Sequence, residues 1–328
     1  MKAVLITRPG PAENLVLGEY PDPELRSGEL LVNVHATALN RADLLQRMGL
    51  YPPPEGASPI LGLEMSGVIE AVGEGCQGPW KPGDRICALL PGGGYAQKAV
   101  IPEGMAIPVP ENLTLTEAAA LPEAFLTAFL NLFWLGRMQA GETVLIHAAA
   151  GGVGSAAIQL VREAGGRSIV TAGSAAKLAK CLEWGAQTAI NYKEGPFAPK
   201  VLEATEKQGV NMVLDFVGAP YWEQNLQVLK TDGRLLLIGT MGGRVVEQLN
   251  LGLLLSRRLS IIGSTLRSRS PEEKARLTQE FCRFALPRLA DGRLFPVIDR
   301  VLPWEEAAEA HRYMESNANI GKIVLQIN

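Results

Sequence analysis

Apolar positions along the 328-residue chain fall into three regimes. Up to about residue 120 they come in short runs, Leu30-Leu-Val-Asn-Val34, Gly67-Val-Ile-Glu-Ala-Val72 and Ala96-Gln-Lys-Ala-Val-Ile101. Turn sequences such as Lys81-Pro-Gly-Asp84 and Pro91-Gly-Gly-Gly94 separate them, which predicts a β-rich domain. From about 123 to 265 the pattern alternates. Apolar strand candidates at 143–148, 167–172, 188–190, 211–216, 234–238 and 259–263 have helical stretches between most of them. Such alternation predicts an α/β fold with a parallel, doubly wound sheet. The last stretch contains one clear helix, opened by Ser270 as N-cap, Pro271 at the first position and Glu273 at the third. Leu277, Phe281, Phe284, Ala285 and Leu289 form its apolar face. The chain finishes on Gly321-Lys-Ile-Val-Leu-Gln-Ile327, a strand too short to stand alone, so it is expected to complete the β-rich domain. The expected organisation is therefore discontinuous, with residues 1–122 and 265–328 in one domain and 123–264 inserted between them.

One run, Ala118 to Gly136, is apolar enough to raise the question of a membrane span. Pro122, Glu123, Thr127 and Asn131 interrupt it, and a span needs roughly 20 predominantly apolar residues, so it reads as a buried helix starting near Pro122. The N-terminus, Met1-Lys-Ala-Val-Leu-Ile6, has too short an apolar run for a secretory signal and reads as a first strand. Composition adds bounds. With 47% hydrophobic and 20% charged residues the chain can build sizeable cores. A net charge of -3 and a pI near 5.8 give no overall pull toward nucleic acid or anionic membrane. Cys76, Cys87, Cys181 and Cys282 are scattered, with no C-x-x-C pair, and read as reduced thiols in a cytoplasmic protein.

The densest chemical signal is Thr143-Val-Leu-Ile-His-Ala-Ala-Ala-Gly-Gly-Val-Gly154, an apolar strand feeding a glycine-rich turn. Ala149, Gly151 and Gly154 occupy the G-x-G-x-x-G positions, with Gly152 and Val153 between them. Val153, Ala157, Leu160, Val161 and Ala164 then recur at helical spacing. Strand, tight turn and helix N-terminus together suit a dinucleotide pyrophosphate. An NAD site normally places Asp or Glu at the end of the next strand, roughly 20 residues on. Here that strand ends Thr171-Ala-Gly-Ser174 with Lys177 on the following turn. Gly173, Ser174 and Lys177 without an acid suit a 2′-phosphate and favour NADPH; the bland reading is an N-cap serine and a solvated lysine. Because ligands lie beyond the carboxyl ends of strands in such sheets, Val217, Gly218, Gly239, Met241, Ser264 and Leu266 are further candidates.

The chain resembles the zinc-independent medium-chain dehydrogenases/reductases, in particular the quinone oxidoreductases. Supporting residues span nearly the whole length: Ala38-Leu-Asn-Arg-Ala-Asp43, Gly49-Leu-Tyr-Pro-Pro53, Leu61-Gly-Leu-Glu-Met-Ser-Gly67, Gly92-Gly-Gly-Tyr-Ala96, Ala148 to Gly154 and Gly321-Lys-Ile-Val-Leu325. Leu39 to Leu44, Leu89 to Gly94 and Leu266-Arg-Ser-Arg269 look closest to the tumour-suppressor-inducible subgroup. The resemblance implies a GroES-like β domain, a six-stranded Rossmann domain and a homodimer that joins Rossmann sheets edge to edge. It also implies Tyr192 beside the 2′-phosphate, Thr127 on the nicotinamide carboxamide or a phosphate, and Asn319 among the cofactor contacts; for Thr127 a hydroxyl bonded to its own helical turn is the alternative.

Zinc alcohol dehydrogenases carry a cysteine where this chain has Asn40, and Gly-His-Glu where it has Gly62-Leu63-Glu64. Asparagine and leucine cannot replace thiolate and imidazole, so no metal site is expected and His35, His147 and His311 are not expected to be ligands. Without a Lewis acid the acceptor must take hydride readily, and a quinone does, since its ring stabilises the hydroquinone anion. Asn40, Asp43 and Tyr51 are the substrate-facing candidates, at a cleft expected between the domains. Tyr51 either bonds a carbonyl or stacks on a quinone, or is a rim aromatic fixed by Pro52 to Pro54. Asp43 alternatively caps the helix Ala42–Met48, and Glu64 is expected to be a buried partner of Arg41 or of a cofactor-side arginine. Three readings follow: an NADPH-dependent quinone reductase, an enone or enoyl reductase in which Tyr51 donates a proton, and a non-catalytic NADPH-binding protein.

Overall fold

The computed structural model describes residues 1–327, and its contacts divide them into two units, 1–126 with 266–327 and 127–265. The first unit opens with β1 (Lys2–Ile6) and β2 (Leu15–Glu19), an antiparallel pair. It continues through β3 (Glu29–Ala38), helix α1 (Arg41–Arg47), β4 (Glu64–Val72), β5 (Arg85–Leu89), β6 (Lys98–Pro102) and β7 (Ala106–Pro108). Strand β3 pairs antiparallel with both β4 and β6, β4 with β5, and β5 with β7. The short helix α2 (Leu115–Ala118) is held by a capping box between Thr114 and Glu117.

Helix α3 (Pro122–Phe129) crosses the boundary and runs into a π-helical turn, Leu130–Leu135. The sequence reading assigned residues 123–126 to the inserted domain. They group with the first unit because the Glu123 N–H donates to Glu64 and Phe125 packs on Phe281, with ring centroids 6.1 Å apart. The stretch Leu115–Leu135 is long and apolar enough to cross a membrane, and 78% of its most apolar window is buried inside the protein.

The second unit alternates strictly: β8 (Thr143–Ile146), α4 (Gly152–Glu163), β9 (Arg167–Ala172), α5 (Ala175–Glu183), β10 (Thr188–Asn191), α6 (Phe197–Ala204), β11 (Val210–Asp215), α7 (Trp222–Val228), β12 (Leu229–Leu237), α8 (Leu251–Arg257) and β13 (Ser260–Gly263). All sheet pairs are parallel, in the order β10-β9-β8-β11-β12-β13. This is the six-stranded doubly wound sheet that the alternation predicts, with its reversal between β8 and β11. Parallel strands covered on both faces need continuous apolar runs, and Leu145, Ile169, Val213 and Leu235 supply the central layer.

The chain then returns to the first unit. Helix α9 (Pro271–Ala290) carries the capping box of Ser270 and Glu273, with Leu277, Phe281, Ala285 and Leu289 buried along one face. After β14 (Ile298–Pro303) comes α10 (Ala307–Glu315), a second helix in a stretch where the sequence reading found only one. Its apolar face is short, Ala307, Ala310 and Met314 around a buried His311, which explains the omission. The last strand, β15 (Lys322–Gln326), pairs parallel with β14 and antiparallel with β3, where Val324 faces Ala38. The first domain is thus closed by the end of the chain.

Candidate active site

In the second unit the glycine-rich turn has the geometry of a dinucleotide loop. Ala148 adopts φ +47°, a left-handed conformation that a residue with a side chain holds only under constraint. The Ala149 N–H donates to the Thr171 carbonyl of the neighbouring strand at 3.2 Å, and Gly151 is the N-cap of α4. At Gly154 a Cβ would lie 2.5 Å from both the Cα and the carbonyl oxygen of Ala149, so only glycine lets the helix approach the turn. Gly152 and Val153 open the helix.

At the end of β9, a Cβ on Gly173 would sit 2.7 Å from the Tyr192 hydroxyl. That close approach brings Tyr192, which follows β10 and is 41% exposed, beside Gly173 and Ser174. The Ser174 hydroxyl accepts from the Lys177 N–H at 3.4 Å, so the serine does cap α5. Among the other sequence candidates, Val217 and Gly218 form the turn after β11, where both N–H groups donate to Asp215. Gly239 and Met241 follow β12 and Ser264 follows β13, with Met241 56% exposed. Thr127 is buried on α3, and its carbonyl accepts from Asn131. Leu266 and Asn319 belong to the first unit.

His147 has the core role expected of it. Its Nε2 lies 2.7 Å from Asn225 Oδ1, and the Asn225 amide nitrogen donates to Asp215 at 3.1 Å. Nε2 therefore carries the proton, and Nδ1 accepts from the Thr171 hydroxyl at 2.8 Å. Burial lowers this imidazole to about 4, so it is neutral at physiological pH.

In the first unit Asn40 is the N-cap of α1, and its N–H donates to Asp43 at 2.8 Å. Asp43 is fully buried and also accepts from the Gly62 N–H at 3.1 Å. Burial raises this carboxyl to about 6 despite those two donors and the Lys322 charge. Of the alternatives left open for Asp43, the structure supports the helix cap. The Asn40 amide is likewise committed: it donates to Glu64 at 2.8 Å and accepts from the Lys322 ammonium at 2.7 Å. Lys322 also lies 2.6 Å from Glu64 and donates to the Leu39 carbonyl. The buried partner of Glu64 is therefore Lys322 from β15. The partner expected from the sequence was Arg41 or a cofactor-side arginine; Arg41 instead donates to Asn317.

Tyr51 is partly buried, with the Arg267 guanidinium 5.2 Å from its ring centroid. Desolvation raises its phenol, which stays protonated at neutral pH. Glu123, at the start of α3, is pushed up to about 8, first by burial and then by the Glu64 carboxylate. Glu123, Arg267 and Lys322 had no assigned role in the sequence reading. A charged residue opening the mostly apolar runs 123–135 and 322–327 was the available signal for two of them.

Residues 26–111 match the model of the alcohol dehydrogenase GroES-like domain, and residues 152–281 match that of the zinc-binding dehydrogenases. Rat quinone oxidoreductase is 32% identical over 99% of this chain and 97% of its own length. The chain is a medium-chain dehydrogenase/reductase. Among solved structures of this family, an NAD-dependent alcohol dehydrogenase is 34% identical with a TM-score of 0.89, each chain covered over 100% of its length. A mycobacterial protein solved with NADPH is 29% identical over 99% of this chain and 100% of its own, with a TM-score of 0.87. The JamJ enoyl reductase is 27% identical over 100% of this chain and 99% of its own, also with a TM-score of 0.87. As a member of this family, the protein is a pyridine-nucleotide-dependent oxidoreductase with a GroES-like domain and a Rossmann-type sheet.

The residues of this medium-chain dehydrogenase/reductase do not fit a catalytic zinc. Leu63 is apolar and buried, and the Asn40 oxygen and the Glu64 carboxylate already surround an ammonium. A divalent cation among them would meet Lys322 as a like charge and find no thiolate or imidazole. The dinucleotide turn, by contrast, fits its cofactor: Gly154 lets α4 close on the turn, and Gly151 presents the helix N-terminus.

Proposed function

We propose that this protein is an NADPH-dependent quinone reductase that works without a metal. The observation that carries the reading is the internally satisfied cluster of Asn40, Glu64 and Lys322, whose oxygens are taken by an ammonium and leave a metal no open coordination position. An acceptor reduced here has to be a good hydride acceptor in its own right, and quinones are. Bound, the reduced nicotinamide supplies hydride. The chain's own residues then orient and desolvate, with Tyr51 stacking on or bonding to the acceptor. Asn40 and Asp43 act one step back, holding the start of α1 and the Gly62 loop.

Preference for NADPH is supported by the absence of an acid in Thr171-Ala-Gly-Ser174 and by the close approach of the Tyr192 hydroxyl to Gly173, the residue before Ser174. A homodimer is proposed with it, through β13 as the edge strand of the parallel sheet, as is a cytoplasmic location.

A second reading, reduction of an activated C=C bond in an enone or enoyl thioester, is favoured by the protonated Tyr51 phenol, a candidate donor to carbon. One screen separates them: oxidation of NADPH, with an NADH control, over quinones and enones, using wild type and Tyr51→Phe. Quinone turnover that survives in Tyr51→Phe with only a changed KM supports the first reading. Enone turnover abolished by the same change supports the second. NADPH binding without turnover of either class would defeat both and leave a binding protein, and equal use of NADH would defeat the phosphate assignment.

A further inference from the structure

Arg267 lies in the segment between β13 and α9 and is 5% exposed. Two of its nitrogens are fixed: Nε donates to the Pro91 carbonyl at 2.8 Å and Nη2 to Gln46 Oε1 at 2.7 Å. The third, Nη1, is buried with no hydrogen-bond partner among the described residues. Native proteins keep few such groups, and an unmade bond to a buried charged donor is costly. No carboxylate closes the fork. Asp43 accepts from the Asn40 and Gly62 N–H groups, while Glu123 acts on the guanidinium through space. Lys274, itself 6% exposed, donates to the Arg267 carbonyl at 3.2 Å and adds positive charge. The Tyr51 ring lies against the same guanidinium. A rigid, half-engaged guanidinium beside an aromatic ring is therefore held ready for an oxygen that this chain does not supply.

We propose that Arg267 Nη1 anchors the acceptor's oxygen, the carbonyl of a planar quinone and the phenolate formed from it, while Tyr51 covers the ring. The inference rests on the quinone reading and names the residue that recognises that substrate class. A fixed N–H strengthens its bond as the oxygen gains negative charge, so Arg267 holds the reduced form more tightly than the ground state.

The test uses 4-nitrophenolate, which accepts no hydride, titrated into cofactor-free protein and followed by its absorbance. Wild type is expected to bind the phenolate. Arg267→Met is expected to bind it roughly 10- to 100-fold more weakly, the size of one charge-assisted hydrogen bond. Arg267→Lys keeps the charge but loses the fork, and is expected to fall between them. If Arg267→Met does not melt cooperatively, the Arg267→Lys comparison decides. No phenolate binding by wild type, or equal binding by a folded variant, overturns the proposal. The two readings fail differently. Arg267-dependent phenolate binding without quinone turnover by wild type removes the quinone function and keeps the anchor, whereas quinone turnover with unchanged kcat and KM in Arg267→Lys removes the anchor alone.

Discussion

Replacing Glu123 with glutamine should change how the stability of the protein depends on pH. The Glu123 carboxyl sits partly buried, its own N–H donating to Glu64 at 2.8 Å, and its titration moves from the ordinary 4.5 up to about 8. Burial is the largest cause, followed by repulsion from Glu64; the Lys322 charge opposes the rise, Asp43 adds to it and Arg267 opposes it. The folded state therefore holds a proton that the unfolded state releases between those limits. Its contribution to stability is fully present below pH about 4.5 and is lost as pH rises through about 8. At 1.36 kcal/mol per pH unit the ceiling is about 5 kcal/mol. Glu123 keeps some contact with water, so screening should leave roughly half, ~2 kcal/mol. In Glu123→Gln this loss is absent. Urea unfolding of both proteins from pH 5 to pH 9, with the m-value checked at each step, should show the variant gaining about 2 kcal/mol relative to wild type across the range. Parallel curves, or a difference that tilts toward wild type at high pH, would refute the placement of this carboxyl.

Lys322→Met should destabilise the protein by about 3–5 kcal/mol, because it leaves Glu64 buried without its cation; adding Glu64→Gln should recover a large part of that loss. Denaturant unfolding of the two single variants and the double variant measures the coupling, and additive effects would show that the pair is not the unit drawn here. Gly154→Ala should cost at least about 1–3 kcal/mol and weaken nucleotide binding together with it, since the new methyl meets Ala149 backbone atoms at 2.5 Å and no flexible side chain can yield. Thermal unfolding and a nucleotide titration check this, and a variant within about 0.5 kcal/mol of wild type with unchanged affinity would contradict it.

The parallel sheet was legible because its signal is local. Six apolar runs, a glycine turn and a helical repeat after Gly154 each lie within a few residues, and the motif's spacing carries its geometry. The short final strand already pointed to a discontinuous first domain, and the resemblance to a known family added its GroES-like character and the positions where zinc relatives differ. What remained hidden depends on contacts between residues far apart in the chain. Lys322 is 282 positions from Asn40, and no periodicity announces that β15 pairs with β3 and delivers an ammonium to the helix cap. Arg267 was visible only as part of a resemblance, because its role depends on Pro91 and Gln46 taking two of its nitrogens and leaving the third. The positive φ at Ala148 was likewise invisible, since alanine is not the residue type expected there.

These long-range contacts also explain why the carboxyls of the first unit titrate as they do. Asp43 and Glu123 share one neighbourhood with Glu64 and the buried Lys322 ammonium that contacts it. The Lys322 charge reaches Asp43 and Glu123 only through space and does not offset their burial, which raises both carboxyls. Lys322 touches Glu64, while Asp43 rises to about 6 and Glu123 to about 8. On the proposed function this ordering has a chemical use. An acceptor that turns into a phenolate beside Arg267 would be repelled by an ionised Glu123, whose charge acts on Arg267 through space. Held neutral near pH 7, Glu123 leaves the guanidinium field intact for the oxygen that gains charge. Anchoring should therefore weaken as pH rises through about 8 in wild type and stay flat in Glu123→Gln, which joins the stability of the fold and the recognition of the substrate through one proton.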